Sequence, residues 1–305
     1  MKDQADKLRE IVNNLNMKQQ SLQVSSGDKP REKTARVITV TSGKGGVGKT
    51  NIAVNTAIAL CELGLKVIII DADLGLANVD ILLGLVPKFT LVDALNKNKN
   101  IMDIICEGPN GIKFVSGGSG VEALVKTDED RLNNFIKNIE QLDSSFDIIL
   151  IDTGAGLSEN VLKFAMASDE IIVVTTPEPT SITDAYALIK LIVNRDKEKV
   201  MRIIVNRAES VKEANDVLNK LMMVSERFLY TKLDPLGIIL YDETVVKAVK
   251  LQQAFTLGFP NSQASKFIRQ IAYKLVGEES YNHRYTSRGI KSFVKRLVSF
   301  ISIYY

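Results

Sequence analysis

The stretch Ser42-Gly43-Lys44-Gly45-Gly46-Val47-Gly48-Lys49-Thr50 constrains this chain more than any other. It follows an apolar, β-branched run, Val37-Ile38-Thr39-Val40, and opens an apolar-periodic segment from Ile52 to Leu63. Strand, glycine-rich turn and helix are the context in which G-x-x-x-x-G-K-[ST] becomes a phosphate cradle. Gly43, Gly45, Gly46 and Gly48 let backbone N–H groups converge on an anion at the positive end of a helix. Lys49 is placed to reach the β- and γ-phosphates of a nucleotide, and the Thr50 hydroxyl to ligate Mg²⁺.

Two further strands supply acids. Val67-Ile68-Ile69-Ile70 is an unbroken apolar run of the kind buried on both faces of a parallel sheet, and it ends in Asp71-Ala72-Asp73. Phe146 to Ile151 leads in the same way to Asp152-Thr153-Gly154-Ala155-Gly156. Acids at the carboxyl ends of such strands face the crevice where α/β proteins bind ligands. Asp152 is expected to reach the metal beside the phosphates, and Thr153 to Gly156 to form a turn that senses the γ-phosphate. Glu170 to Thr176 and Arg202 to Val205 read as further strands, the latter preceding Asn206. Strands alternating with helices predict a doubly wound, mostly parallel α/β sheet.

Composition removes other readings. The 305 residues are 45% apolar and 25% charged, ordinary globular usage, and a net charge of +3 makes no case for nucleic-acid binding. Cys61 and Cys106 stand far apart without a C-x-x-C, so neither a disulfide framework nor a thiolate metal site is indicated. The single histidine, His283, leaves imidazole catalysis without support. No run approaches the roughly 20 apolar residues of a spanning helix, and the charged start is unlike a signal peptide. A cytoplasmic protein is expected.

The early lysine is the uncommon feature. With Lys44 directly after the first glycine, Lys44 to Thr50 resembles the deviant P-loop of the MinD/ParA family of ATPases, and the resemblance runs from about residue 37 to 276. It implies that Lys44 crosses an ATP-sandwiched homodimer to the partner's phosphates. It implies that Asp73 positions the attacking water, that Asp71 supports the Mg²⁺ site, and that Asn206 reads the adenine ring. ATP and Mg²⁺ are the implied ligands, and slow, dimerisation-dependent hydrolysis the implied reaction. Relatives usually carry proline where Leu240 stands.

Both ends extend beyond that domain. Residues 3 to 17 read as an amphipathic helix with Leu8, Ile11, Val12 and Leu15 on one face, and residues 18 to 36 as a linker. Asp3-Gln4-Ala5 with Leu8-Arg9 resembles the N-terminal activator helix of the flagellar number regulators, the FlhG (FleN, YlxH) branch. In that branch the helix binds the GTPase FlhF, and the glutamine assists GTP hydrolysis in the partner's site. After a polar linker at 277–289, residues 290–305 place Ile290, Phe293, Val294, Leu297, Val298 and Ile301 on one helical face. Lys291, Lys295 and Arg296 flank or oppose that stripe, which reads as a helix lying reversibly on the cytoplasmic membrane. A helix packed back on the domain is the competing reading.

Three branches of the family remain open at this stage. A division-site MinD protein shares the domain and the membrane helix but typically starts at the first strand. A ParA-type partition protein would present a basic DNA-binding surface. The flagellar branch accounts for the residues before the first strand, and implies FlhF and flagellar switch-complex proteins as partners. An ATP-binding scaffold without turnover is a fourth reading, from a different functional class.

Overall fold

The computed structural model describes residues 34–73, 78–96, 99–117, 127–277 and 287–302. The expected activator helix, with Asp3, Gln4 and Ala5, lies outside the described residues.

Eight strands form one sheet in the order β3-β4-β2-β5-β1-β6-β7-β8. They are β1 (Arg36–Thr41), β2 (Val67–Ala72), β3 (Cys106–Glu107), β4 (Lys113–Ser116), β5 (Ile148–Thr153), β6 (Glu170–Thr175), β7 (Val200–Ala208) and β8 (Asp234–Leu240). All neighbours are parallel except β3 and β4, at one edge. The four central strands are buried along almost their whole length, so they read as continuous apolar runs rather than alternations.

Alternation reappears in which helix layer each residue meets. Ile38, Val40, Ile69, Leu150 and Ile172 pack on one face, against α1 (Lys49–Glu62) and α11 (Gln263–Val276). Between them in sequence, Val37, Ile68, Ile70, Ile149 and Ile151 point to the opposite face. There they meet α3 (Leu91–Asn96), α4 (Glu129–Ile139) and α6 (Glu159–Ala167). The same face continues over β6 and β7 under α7 (Pro179–Arg195) and α8 (Val211–Leu229). The shorter helices are α2 (Val79–Leu83), α5 (Gln141–Ser145), α9 (Glu243–Lys250) and α10 (Phe255–Gly258). The connection from β1 runs to β2 on one side and that from β5 crosses β1 to β6 on the other, which places a crevice at the carboxyl ends of these strands.

A buried ion triad ties the first strand to the rest of the sheet. Glu170 receives Arg202 Nε at 2.9 Å and Arg36 in a two-pronged contact, with Arg36 Nη2 at 2.7 Å. Burial alone would raise this carboxyl, but the two guanidinium groups outweigh it and hold its pKa low.

The last helix, α12 (Gly289–Ser302), changes the reading of the C-terminus. Ile290, Phe293, Val294 and Leu297 are at most 3% exposed, in the same core cluster as β2 and β5. Phe293 meets Phe164 of α6 with ring centroids 6.1 Å apart. The stripe read as membrane-facing is thus covered by the domain in this conformation. Burying each such side chain contributes about 1.5–3 kcal/mol, which favours the docked helix over one in water. Lys291 pairs with Glu140 at 2.6 Å and Arg296 with Asp169 at 3.3 Å, while Lys295 is exposed. The side chain of Ile301 lies outside the described residues. No helix among the described residues is long and apolar enough to cross a membrane.

Candidate active site

The loop between β1 and α1 has the backbone that phosphate binding needs. Gly46 and Gly48 take φ of 77° and 91°, left-handed values that strain any other residue. Gly43 packs against the backbone of Asp184 and Ala185 in α7, too close for any Cβ. At the first turn of α1 there is neither a side-chain cap nor an acid, so its N–H groups and the helix dipole face the loop uncompensated.

Lys49 lies in the first turn with its Nζ 2.8 Å from Asp152 Oδ1, and both side chains are buried. Parallel register sets Asp152 beside Val40 on one side and Asp71 on the other. Burial pushes the Asp152 carboxyl up, while Lys49 and, after it, the Thr50 hydroxyl draw it down. Its second oxygen, Oδ2, is buried with no hydrogen-bond partner among the described residues. An orphaned carboxylate oxygen beside a hydroxyl fits a hard cation. No cluster of three or more His, Cys, Asp or Glu poised to hold a metal occurs among the described residues. Mg²⁺ would accordingly take Thr50 and Asp152 from the protein and its other ligands from phosphate and water.

Asp71, expected to support the Mg²⁺ site, also holds the backbone that follows β2. Its Oδ1 accepts the Asp73 N–H at 3.1 Å, and its Oδ2 accepts the N–H groups of Asn78 at 2.8 Å and Val79 at 3.1 Å. Its two oxygens thus hold the backbone at Asp73, Asn78 and Val79. Burial first, and then the Asp152 charge, push its carboxyl up to about 6. Asp73 itself sits against the second loop: a Cβ on Gly154 would lie 3.4 Å from Asp73 Oδ1. That loop is tied to the first, since Gly156 N–H donates to Ser42 O at 2.9 Å and Thr153 Oγ1 to Val40 O at 3.2 Å. Ala155 is exposed at its tip.

Two assigned residues are turned elsewhere in this conformation. Lys44 Nζ donates to Glu178 Oε2 at 2.7 Å and Thr180 Oγ1 at 2.9 Å, at the start of α7. Nothing local in the sequence signals the pairing of Glu178 with Lys44. Asn206, at the bulged end of β7, donates its Nδ2 to Val47 O at 2.8 Å. Here it braces the phosphate loop rather than offering its amide nitrogen to a base.

Gly45 and Val47 complete the loop, with Val47 buried and Gly45 open to solvent. The acids that hold α12 were missed: Asp143 accepts the N–H groups of Ala35, Ile290 and Lys291, and Asp169 meets Val37, Arg288 and Arg296. Isolated acids in a helix and before a strand carry no sequence signal of that kind.

Residues 33–276 match the ParA family, described as NUBPL iron-transfer P-loop NTPase. The chain is 43% identical over 265 residues to the antiactivator FleN of Pseudomonas aeruginosa, covering 86% of this chain and 93% of that protein. It is 35% identical over 304 residues to the flagellum site-determining protein YlxH of Helicobacter pylori, covering 99% and 100%. Among solved structures it resembles the MinD cell division protein of Aquifex aeolicus, at 28% identity and a TM-score of 0.64, covering 80% of this chain and 98% of that one.

Proposed function

The chain belongs to the ParA/MinD family of P-loop NTPases, and from that premise we propose that it is an ATP-driven switch that regulates flagellar number or placement. The observation that carries this reading is the span of the YlxH match, which takes in 99% of the chain and therefore both terminal extensions. The MinD structure covers 80%. The iron-transfer wording of the family description does not carry over, because the two cysteines form no C-x-x-C.

In this reading ATP is held by the backbone from Gly43 to Gly48, by Lys49 and by Thr50. Mg²⁺, held by Thr50 and Asp152, would offset phosphate charge. Asp73 orients the attacking water, and the turn from Asp152 to Gly156 distinguishes ATP from ADP. Lys44 leaves Glu178 and crosses to the phosphates of a second copy, so that dimerisation completes the site and hydrolysis, slow and dimer-dependent, dissolves it. Asn206 reaches the adenine from its place behind the loop.

The docked α12 supplies the output. Its apolar face shares a cavity with Asp71 of the site and with Gly117, lined further by Ile70, Phe293 and Leu297. In this reading a change at the carboxyl end of β2 loosens the helix. Released α12 would lie on the cytoplasmic membrane, and two copies in a dimer would multiply its affinity. At the other end, Asp3, Gln4 and Ala5 would act on the FlhF GTPase, with flagellar switch-complex proteins as further partners.

The test is GTP turnover by FlhF with this protein and with its Gln4→Ala variant. Stimulation that disappears with the substitution supports the flagellar reading. An equal absence of stimulation from both would return a division-site role to first place.

A further inference from the structure

Asn78 occupies the N-cap position of α2, where an asparagine ordinarily turns its side-chain oxygen back onto the free N–H groups of the helix. It makes no such bond here. The capping is done from β2, by Asp71 Oδ2, which takes the N–H groups of Asn78 and Val79. The Asn78 side chain is directed instead to the acid two residues beyond Asp71, with Nδ2 donating to Asp73 Oδ2 at 3.1 Å.

Asp73 is thereby gripped on two sides. Its backbone N–H is fixed to Asp71 Oδ1 at 3.1 Å, and its Oδ2 to the Asn78 amide. Its other oxygen, Oδ1, faces Gly154 in the loop that follows Asp152. One residue thus ties both acids of the β2 end together: its backbone serves Asp71 and its side chain Asp73. An amide is suited to this, because it donates a hydrogen bond without supplying a charge that would neutralise the carboxylate.

We propose that Asn78 is a positioning residue for nucleotide hydrolysis, its amide holding Asp73 Oδ2 so that Oδ1 is presented towards the Gly154 loop. The proposal rests on the reading of Asp73 as the group that orients the attacking water. Misplacing such a group by about 1 Å costs roughly 100-fold in rate. Asn78→Asp separates positioning from folding, because the α2 cap comes from Asp71 and is kept, while the near-isosteric aspartate offers Asp73 no donor and a second negative charge.

The experiment compares wild type, Asn78→Asp, Asp73→Asn and the double variant in the full chain. It reads kcat and KM for ATP, the affinity for a fluorescent ATP analogue, and the melting temperature. Expected is a fall of roughly 100-fold in kcat for Asn78→Asp, with KM, analogue affinity and melting temperature kept, and no further loss in the double variant. Wild-type kcat in Asn78→Asp overturns the proposal. So does a loss of kcat accompanied by weaker analogue binding or a lower melting temperature, which assigns Asn78 to the fold. If Asp73→Asn itself turns over normally, the assignment of Asp73 fails, and that outcome is visible independently of Asn78.

Discussion

The carboxylate of Asp143, in α5, accepts the backbone N–H of Ile290, 147 residues further along the chain, at 2.8 Å and so caps α12. The same side chain accepts from Ala35 at 3.2 Å, just before the first strand. Gly289 must be glycine at this junction, since its φ is 75° and a Cβ would fall 2.6 Å from the Asp143 carboxylate. Burial raises the Asp143 pKa, and the N–H groups of Ile290, Lys291 and Ala35 oppose that rise. The hold on α12 therefore combines a cap from a distant helix with its buried apolar face.

Removing that cap is expected to loosen α12 without unfolding the sheet. Losing an N-cap acceptor costs about 0.5–2 kcal/mol. Asp143→Ala should speed tryptic cleavage after Lys291, Lys295 and Arg296 and increase sedimentation with anionic vesicles. Unchanged cleavage and sedimentation would mean that the apolar face alone holds the helix.

The Arg36–Glu170–Arg202 triad should be the most costly polar substitution in the fold. Removing one partner of a buried ion pair leaves an uncompensated charge and costs about 3–5 kcal/mol. Glu170→Ala removes the carboxylate that faces two arginines, with the Arg202 side chain only 5% exposed. Urea denaturation should show that loss, and a shift below about 1 kcal/mol, the range of an exposed pair, would show that the arginines find water instead.

Lys199 sets a pH dependence that can be isolated. Its ammonium is buried under the ends of α6 and β6, donating to Met166 O at 3.0 Å and to Ser168 O. Burial and Arg296 lower its pKa from 10.5 to about 8, with Arg288 adding to the fall and Asp196 and Asp169 opposing it. A lysine whose folded pKa is lowered binds its proton more weakly folded than unfolded, so stability rises as pH climbs from about 8 towards 10.5. At about 1.36 kcal/mol per unit, the full gain is about 3 kcal/mol. Wild type should gain on Lys199→Met between pH 7 and 9.5. A constant difference between the two denaturation midpoints would refute the assignment.

Gly48→Ala should impair nucleotide binding more than folding. A left-handed φ costs a residue with a Cβ roughly 1–2 kcal/mol, and that Cβ would stand 2.5 Å from the Asn206 Nδ2 that braces Val47. The expected result is at least about tenfold weaker ATP binding, in line with about 1.4 kcal/mol per decade, with the melting temperature lowered by only about 2–8 °C. Equal losses in both would place the glycine's role in the fold.

Much of this molecule is local, and local patterns are legible. Four apolar runs, a glycine-rich turn and acids at strand ends sufficed to place β1, β2, β5 and β6, the turn between β1 and α1, and the acids that close β2 and β5. The reason is that period, turn chemistry and burial on both faces of a parallel sheet act within a few residues of one another.

What the chain alone left open depends on partners distant in sequence. Whether Ile290, Phe293, Val294 and Leu297 face lipid or the sheet turns on a groove built by α4, α6 and β1, because an amphipathic helix carries the same stripe in either setting. Lys44 meets Glu178, Asp71 serves the backbone of α2, and Asn206 braces Val47 for the same reason. A polar side chain's role is fixed by which donor or acceptor the fold brings within about 3 Å, and only the tertiary structure decides that.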